Sequence, residues 1–358
     1  MLCVVLALWG VDGAPIAKIH LLKDYQSTLG AACIDGTPPA YYIVPGTGSG
    51  ADKWFIFHQG GGWCTSLADC YARSKTALGS SSGYPQTLDL ADEGGYFSDD
   101  PTANPAFYNW NKVYFPYCDG GSFSGNNQTL SDYQGHSLMF RGYRNLQAYW
   151  IDLALKFDLQ LGKEFVVSGC SAGGLATYLH VDWWAGKLPQ GSKVVGVPDS
   201  GYFLDYDSKN GPKYSTDMKW VFSIMNSTEG VNRNCIKANT QQPALCFFAE
   251  HTVPHITTPL FPLQSRYDSW QTANILGSSN AADINAYGKL FDERFQALLN
   301  RNQNGAFLDS CFHHCGAFDS IRIDGLLSGP AIQKFVTTGQ GVHIQVNTYP
   351  CEPCCKPN

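Results

Sequence analysis

The sequence predicts an α/β fold in which helices cover both faces of a mostly parallel central sheet. Strand-like apolar runs alternate with helix-like periodicity after residue 110, and one of these runs leads directly into a glycine-rich turn and a helix. Such alternation is typical of parallel strands that are joined through helices. The chain has 358 residues, of which 44% are hydrophobic, so it can bury a substantial core.

The first part of the chain is predicted to contain mainly strands. The β-rich runs 41–44 and 54–57 flank a glycine-rich turn and predict a hairpin, and 112–117 predicts a third strand. Apolar residues then recur at helical spacing over 141–155, which predicts a helix.

The second part of the chain alternates between strands and helices. Strands are predicted at 164–168, 193–197 and 259–263, and helices at 172–184 and 283–299. The stretch from about 200 to 257 lacks clear periodicity, so it is interpreted as an insertion that covers the sheet. We expect residues 15–358 to form a single domain that includes this insertion.

Composition and charge argue against two classes of protein. Only 15% of the residues are charged, the net charge is −6, and no run of Lys or Arg could follow a phosphate backbone. No stretch approaches the roughly 18 consecutive apolar residues that a membrane span needs. We therefore expect neither a nucleic-acid partner nor a membrane span. We also expect a monomer.

The cysteines and the first residues indicate secretion. Thirteen cysteines are present, none of them at the spacing of a structural zinc site, and this number favours an oxidising compartment. Residues 1–14 resemble a signal peptide without its basic start, and the alternatives are a truncated gene sequence or a buried first segment. With sequons at Asn127 and Asn226, we expect a secreted glycoprotein, extracellular or in the cell wall.

A candidate nucleophile lies at the turn between a predicted strand and a predicted helix. The pentapeptide GCSAG at 169–173 matches the pattern G-x-S-x-G. On such a turn the hydroxyl of Ser171 projects from the carboxyl edge of the sheet, and the start of the helix offers N–H groups to developing negative charge. The alternative is an ordinary glycine-rich turn in which Ser171 caps the helix.

A run of three glycines, residues 60–62, follows the strand predicted at 54–57. Backbone N–H groups of Gly61 and Gly62, together with that of Ala172, could bind a carbonyl oxygen as it becomes an alkoxide. A local disulfide between the two cysteines that follow the glycines would hold this loop. The alternative is a flexible glycine turn.

A serine hydroxyl needs a base, and the base needs an orienting acid. His313 and His314 lie between two cysteines, which could fix their loop, and either histidine could be the base. Asp199 and Asp268 each follow a predicted strand, and the later strand favours Asp268 as the acid. Asp199 would then line the pocket or brace the turn.

Four motifs together resemble the pectin acetylesterase family, which also includes the animal Wnt deacylase Notum. The motifs are QGGGWC at 59–64, GCSAGG at 169–174, YDSWQ at 267–271 and SCFHHC at 310–315. The resemblance extends from about residue 25 to the end of the chain. It implies an α/β-hydrolase fold and a serine esterase mechanism with no metal and no other cofactor.

The resemblance also implies a role for each site residue. The residues are the nucleophile Ser171, the acid Asp268, the base His314, and the oxyanion donors Gly61, Gly62 and Ala172. One departure from the family pattern is that His58 and Gln59 replace an acidic residue that usually precedes the glycines, which leaves the charge of the pocket open.

A set of disulfides is implied by the same resemblance. The expected pairs are Cys33 with Cys118, Cys64 with Cys70 and Cys235 with Cys246, while Cys311 and Cys315 pair with the terminal cluster of Cys351, Cys354 and Cys355. Cys170, at the end of a predicted buried strand, is expected to stay reduced.

The function expected from these residues and the resemblance is removal of O-acetyl groups from pectin, with an acetylated polysaccharide as the partner. Trp63 or Tyr202 could stack on a sugar ring, and Asp199 could contribute to substrate binding. One alternative is a Notum-like enzyme with a deep apolar pocket for a long acyl chain. Others are a catalytically inactive polysaccharide-binding protein and a serine peptidase, because folds and triads are shared among functions.

Overall fold

A mostly parallel sheet forms the centre of the fold, as the sequence predicts. The structure is a computed structural model that describes residues 16–316, 318, 320–351 and 355, so the predicted signal peptide at 1–14 lies outside the described residues. Within this part of the chain the strands are β1 (Ile16–Leu21), β2 (Ala40–Val44), β3 (Lys53–His58), β4 (Thr87–Asp89), β5 (Asn111–Phe115), β6 (Ser131–Tyr133), β7 (His136–Leu138), β8 (Glu164–Cys170), β9 (Lys193–Asp199), β10 (Leu263–Ser265), β11 (Ala306–Asp309), β12 (Arg322–Ile323), β13 (Leu326–Leu327) and β14 (Val342–Ile344).

The order of the strands across the large sheet is β14-β11-β10-β9-β8-β3-β5-β2-β1-β4. Neighbouring strands from β14 to β5 are parallel, whereas the pairs β5–β2, β2–β1 and β1–β4 are antiparallel. β8 therefore lies at the centre, between β3 and β9, and it ends immediately before Ser171. The remaining strands form two small hairpins, β6–β7 and β12–β13.

The predicted hairpin of β2 and β3 is wrong, because β5 lies between them. Val113 of β5 is opposite Ile43 of β2 in an antiparallel pair and opposite Ile56 of β3 in a parallel pair. Most residues of β3 and β5 are buried. Strands that are buried on both faces carry no alternation that identifies their partners, so closeness in sequence suggested the wrong neighbour.

Helices cover both faces of the sheet. In the described part of the chain they are α1 (Asp24–Leu29), α2 (Leu67–Arg73), α3 (Gly142–Lys156), α4 (Ala172–Ala185), α5 (Lys213–Ile224), α6 (Arg233–Ala238), α7 (Ala249–Thr252), α8 (Ser269–Gln271), α9 (Ala281–Leu299) and α10 (Ser328–Thr338). None of these helices combines the length and the apolar character that crossing a membrane requires.

Two apolar cores lie on opposite faces of the sheet. Val167 of β8 packs in one core with side chains of α3, α4 and α9, whereas its neighbour Val166 packs in the other core with side chains of α10. Neighbouring residues of a strand point to opposite faces, so β8 is buried on both. This is the architecture of the α/β-hydrolase fold that the resemblance implied.

The stretch between β9 and β10 contains α5, α6 and α7 rather than irregular chain. Tyr214, Met218 and Val221 of α5 are buried in the same core as α3 and α4. α6 and α7, with six and four residues, are too short to produce a recognisable periodicity, whereas α5 has 12 residues. The strand predicted at 259–263 begins later, at Leu263, although Leu260 forms a single bridge with Gly196.

Five disulfides have both cysteines among the described residues. Three of them, Cys33–Cys118, Cys64–Cys70 and Cys235–Cys246, are pairs that the resemblance implied. A fourth joins Cys311 to Cys355, a member of the terminal cluster.

The expectation for Cys170 and Cys315 is wrong, because these two cysteines form a disulfide with each other. The chain after β11 returns to the carboxyl end of β8 and brings their Cα atoms to 5.9 Å, within the range that a disulfide spans. Cys170 is therefore not reduced, and Cys315 does not pair with the terminal cluster. A separation of 145 residues hides this proximity in the sequence.

The sheet has one exposed apolar edge at β14. Among the strands of the described residues, β14 pairs only with β11, and its side chains Val342 and Ile344 are 55% and 36% exposed.

Candidate active site

Ser171 lies on a sharp turn between the last residue of β8 and the first residue of α4. Its φ of +59° and ψ of −122° are a conformation that residues other than glycine rarely adopt. The turn is so tight that a Cβ at Gly173 would collide with the carbonyl oxygen of His58. The backbone N–H of Ser171 donates to the carbonyl of Asp199 at 2.9 Å, which ties the turn to β9.

His314 and Asp268 form a hydrogen-bonded pair beside this turn. The Nδ1 atom of His314 lies 2.8 Å from Oδ2 of Asp268, which is 1% exposed and follows β10. The other oxygen of Asp268 accepts the backbone N–H of Gln271 and caps α8. In a neutral imidazole, a proton on Nδ1 that this carboxylate accepts leaves the lone pair on Nε2.

Ser171 and His314 border the same cavity, which has a volume of about 450 Å³. Among the described residues, neither the Ser171 hydroxyl nor the Nε2 atom of His314 makes a hydrogen bond. The two side chains therefore do not hydrogen-bond to each other in this structure, although both residues border the cavity; hydrogen bonds between catalytic groups are often long when no ligand is bound. The structure brings Ser171, His314 and Asp268 together from three separate strand ends.

Of the residues expected to be oxyanion donors, Gly61 and Gly62 line the same cavity, and Ala172 is the first residue of α4, directly after Ser171. Among the described residues, the backbone N–H groups of Gly61, Gly62 and Ala172 donate to no protein acceptor. Gly61 and Gly62 have φ angles of +138° and +67°, which favour glycine. The guanidinium of Arg73 anchors the glycine loop, residues 60–62, because its Nη1 donates a hydrogen bond to the carbonyl of Gly61 at 2.9 Å.

His58 and Gln59 add no charge to the cavity. His58 is fully buried, its Nδ1 atom lies 2.9 Å from the carbonyl of Ser168, and burial lowers its pKa to about 3. The side chain of Gln59 accepts the backbone N–H of Tyr117 at 2.8 Å. The pair therefore braces the strand and the glycine loop as neutral groups.

His313 has its own carboxylate partner. Its Nε2 atom lies 3.1 Å from both oxygens of the buried Asp309, and its Nδ1 atom lies 3.2 Å from the carbonyl of Cys315. Burial alone would lower the pKa of His313, but Asp309 and, more weakly, Asp199 raise it to about 9. The two adjacent histidines thus have different carboxylate partners, Asp309 for His313 and Asp268 for His314, which the sequence does not reveal.

We expect the His313–Asp309 pair to stabilise the protein in a pH-dependent way. Because the pKa of His313 is raised from 6.5 to about 9, its contribution is complete below pH 6.5 and is lost as the pH rises through 9. His313→Gln should lower the free energy of unfolding at pH 6 by roughly 1.5–3 kcal/mol and by much less at pH 10. Urea unfolding across this range measures the difference, and His255→Gln is the control. An equal loss at both pH values would contradict the assignment.

Two of the three residues expected to bind substrate are interior. Asp199 is 1% exposed and accepts hydrogen bonds from Tyr96 and Ser200, so of its two expected roles the structure supports bracing the turn. Tyr202 is fully buried, and its hydroxyl donates to the carbonyl of Arg294. Neither side chain borders the cavity, which corrects the expectations that Asp199 lines the pocket and that Tyr202 stacks on a sugar ring.

Trp63 is half-buried and borders a second cavity of about 200 Å³ next to the first. Its indole N–H donates to Ser122 at 2.8 Å, and its ring meets the edges of Phe203 and Trp270. Trp270 lines both cavities and was not assigned a role from the sequence. Its position two residues after Asp268 was the signal that could have identified it.

Glu93 also lines the larger cavity and carries no signal in the sequence. The hydroxyl of the buried Tyr114 donates to its carboxylate at 2.6 Å, which fixes the carboxylate in place. Among the described residues, no cluster of three or more His, Cys, Asp or Glu is arranged to hold a metal ion.

Comparison with known proteins identifies the family. The pectinacetylesterase family matches residues 14–356. Pectin acetylesterase 5 of Arabidopsis thaliana is 33% identical over 96% of this chain and 86% of its own length, and pectin acetylesterase 11 is 34% identical over 85% and 81%. The palmitoleoyl-protein carboxylesterase NOTUM of Schmidtea mediterranea is 29% identical over 82% of this chain and 57% of its own length. The chain therefore belongs to the pectinacetylesterase family and is a carboxylic ester hydrolase.

Proposed function

We propose that the chain is a secreted serine esterase that removes O-acetyl groups from pectin through an acetyl-enzyme. The observation that carries the proposal is the convergence on one cavity of Ser171 and His314, with His314 bound to Asp268. The names of the plant relatives support acetylated pectin as the substrate.

The first half of the reaction transfers the acetyl group to the enzyme. Nε2 of His314 takes the proton of Ser171 as Oγ attacks the acetyl carbonyl, and the buried carboxylate of Asp268 stabilises the resulting imidazolium. The carbonyl oxygen becomes negative and accepts hydrogen bonds from the N–H groups of the glycine loop and of Ala172. His314 then gives its proton to the departing sugar oxygen, which leaves an acetyl-enzyme.

The second half of the reaction releases acetate. A water molecule gives its proton to His314 and attacks the acetyl carbonyl, and the same N–H groups bind the oxyanion again. Ser171 then leaves with the proton from His314. Acetate and the regenerated enzyme are the products.

The smaller cavity favours a substrate with a short acyl group. It is bordered by Trp63, Tyr214 and Trp270, whose rings meet edge to face with centroids 5.7–6.1 Å apart. A cluster of packed aromatic rings leaves little room for an extended chain. A Notum-like activity on long acyl groups remains the second candidate, supported by the carboxylesterase relatives.

Secretion is supported by the disulfides and by one sequon. Five cross-links are typical of an oxidising compartment. Asn226 is exposed and accessible to a glycan, whereas the side-chain amide of Asn127 donates to the carbonyl of Ile224. We therefore infer that Asn226 is the better glycan acceptor of the two.

Acetate release from acetylated pectin, acetylated xylan and an aryl acetate tests the proposal. We expect the highest kcat/KM among polysaccharides on pectin, and aryl acetate to be cleaved faster than aryl octanoate. A strong preference for octanoate would favour the long-chain candidate. A fluorophosphonate probe should label Ser171, and a folded protein that resists labelling would instead be a binding protein.

We expect Glu93 to disfavour negatively charged stretches of the substrate. Among the described residues, no Lys or Arg lines the larger cavity, whereas Glu93 does. A galacturonate carboxylate nearby would be repelled by about 1 kcal/mol, roughly fivefold in kcat/KM. Glu93→Gln should therefore raise kcat/KM about fivefold on acetylated pectin without methyl esters, and added salt should shrink the gain.

An uncharged aryl acetate and a second variant are the controls for this prediction. The rate of Glu93→Gln on aryl acetate should stay within about twofold of the parent protein. Glu293→Gln, an exposed position on α9, removes the same charge elsewhere and should change neither rate. Equal gains in both variants would show that overall charge, not Glu93, governs the preference.

A further inference from the structure

We propose that the Cys170–Cys315 disulfide positions the catalytic base against the nucleophile, and that small thiols open it and switch catalysis off. The inference rests on the proposed roles of Ser171 and His314. Cys170 is the residue before the nucleophile, and Cys315 is the residue after the base. One covalent link therefore joins the backbones of the two groups that must exchange a proton.

The segment that carries the base is anchored at several points besides this disulfide: Cys311 is bonded to Cys355, Ser310 forms two hydrogen bonds with Gln345, and His313 pairs with Asp309. Residues 310–316, here called the base loop, contain neither helix nor strand. Among the described residues, two backbone contacts join His313 and Cys315 to other segments: the N–H of Cys315 donates to Ser200 at 2.8 Å, and the carbonyl of His313 accepts the N–H of Ser269 at 3.0 Å. Neither of these contacts reaches the turn at Ser171, so the disulfide is the direct tie between the two.

The link matters because Asp268 alone does not set the distance between base and nucleophile. Asp268 holds the Nδ1 side of His314 from the end of β10, whereas Ser171 depends on β8 and α4. A displacement of about 1 Å between catalytic groups can cost 10²-fold in rate. Opening the disulfide should therefore lower kcat, while the cavity walls that bind substrate keep KM nearly unchanged.

The disulfide is also open to attack from the cavity. Cys170 and Cys315 are both partly exposed and both border the 450 Å³ cavity. Each of the other four disulfides whose cysteines are both described includes at least one buried cysteine. A small thiol that enters the cavity thus reaches this disulfide before the buried ones.

A dithiol can supply the two electrons that reduction of the Cys170–Cys315 disulfide requires. A dithiol thiolate attacks one sulfur and forms a mixed disulfide, and the other cysteine leaves as a thiolate that takes up a proton. The second thiol of the reductant then closes on the first, which releases the other cysteine and yields a cyclic disulfide. Two electrons pass to the enzyme, and air or oxidised glutathione reverses the reaction.

Limited reduction of the folded protein with dithiothreitol tests the proposal. Samples are alkylated with iodoacetamide after increasing times, peptide mapping locates the modified cysteines, and kcat and KM are measured with an aryl acetate. We expect modification of Cys170 and Cys315 to parallel a fall in kcat of at least tenfold, with KM within about twofold. Tryptophan fluorescence should stay unchanged, and an unalkylated sample should recover activity on reoxidation.

A pair of double variants provides the second arm. Cys170→Ser with Cys315→Ser should reproduce the loss of kcat. Cys235→Ser with Cys246→Ser removes a cross-link whose cysteines border neither cavity and should retain the parent kcat. If the first variant does not fold, limited reduction of the parent protein still shows whether opening the Cys170–Cys315 disulfide lowers kcat.

The outcomes separate this inference from the proposed function. Full kcat after modification of Cys170 and Cys315, or loss of kcat while both remain oxidised, would overturn the inference alone. An equal loss of kcat in the distant double variant would also overturn it. An oxidised parent protein without esterase activity would overturn the proposed function as well.

Discussion

Replacing Ser171 with alanine is expected to lower kcat for acetyl ester hydrolysis by about 10⁶-fold, as loss of the nucleophile does in a serine hydrolase. His314 and the N–H donors would remain, but no covalent intermediate could form. Alanine keeps the Cβ atom and the strained backbone at φ +59°, so the thermal unfolding midpoint should stay within a few degrees of the parent value.

The matched control for this variant is Ser279→Ala, an exposed position outside the cavity that should retain full activity. Acetate release and a thermal melt on the three proteins complete the measurement. A folded Ser171→Ala protein that keeps a tenth or more of the parent rate would show that another group is the nucleophile.

Replacing Asp268 with asparagine is expected to lower kcat by about 10⁴-fold. Oδ1 of the asparagine can still accept the N–H of Gln271 and cap α8, so the fold should persist. Its amide, however, would face Nδ1 of His314 as a donor. The imidazole would then carry its proton on Nε2, where it cannot accept the proton of Ser171.

Asp309→Asn tests whether this loss belongs to Asp268 alone. Asp309 pairs with His313 and not with His314, so its variant should lose stability but less than tenfold in kcat at pH 7. Steady-state kinetics and urea unfolding of both variants separate the two effects. Comparable losses of kcat would mean that the two histidine pairs act together in catalysis.

The parts of the site that the sequence could predict are local in the chain. β8, Ser171 and α4 follow one another without a gap, so the change from a buried run to helical periodicity locates the turn. The glycines at 60–62 could likewise be placed at the site, because they directly follow a predicted strand. Composition and spacing left His313 and His314 equivalent, and the family resemblance made the choice between them.

The parts that could not be predicted depend on contacts between distant segments. β2, β3 and β5 are all apolar, so nothing in their sequences shows that β5 lies between the other two. The partners of such strands depend on the packing of the whole sheet. The disulfide of Cys170 depends on the return of the chain 145 residues later. Glu93 reaches the cavity from a short 3₁₀ helix that has no motif. Asp199 and Tyr202 were expected to contact the substrate, but both side chains are buried in the protein interior.

The exposed apolar edge of the sheet bears on how the protein behaves when concentrated. One side of β14 has no neighbouring strand in the described structure, and unpaired strand edges with apolar side chains invite pairing between molecules. Purified enzyme should therefore self-associate slowly in storage through this strand, and Val342→Lys should delay the onset of turbidity without changing turnover.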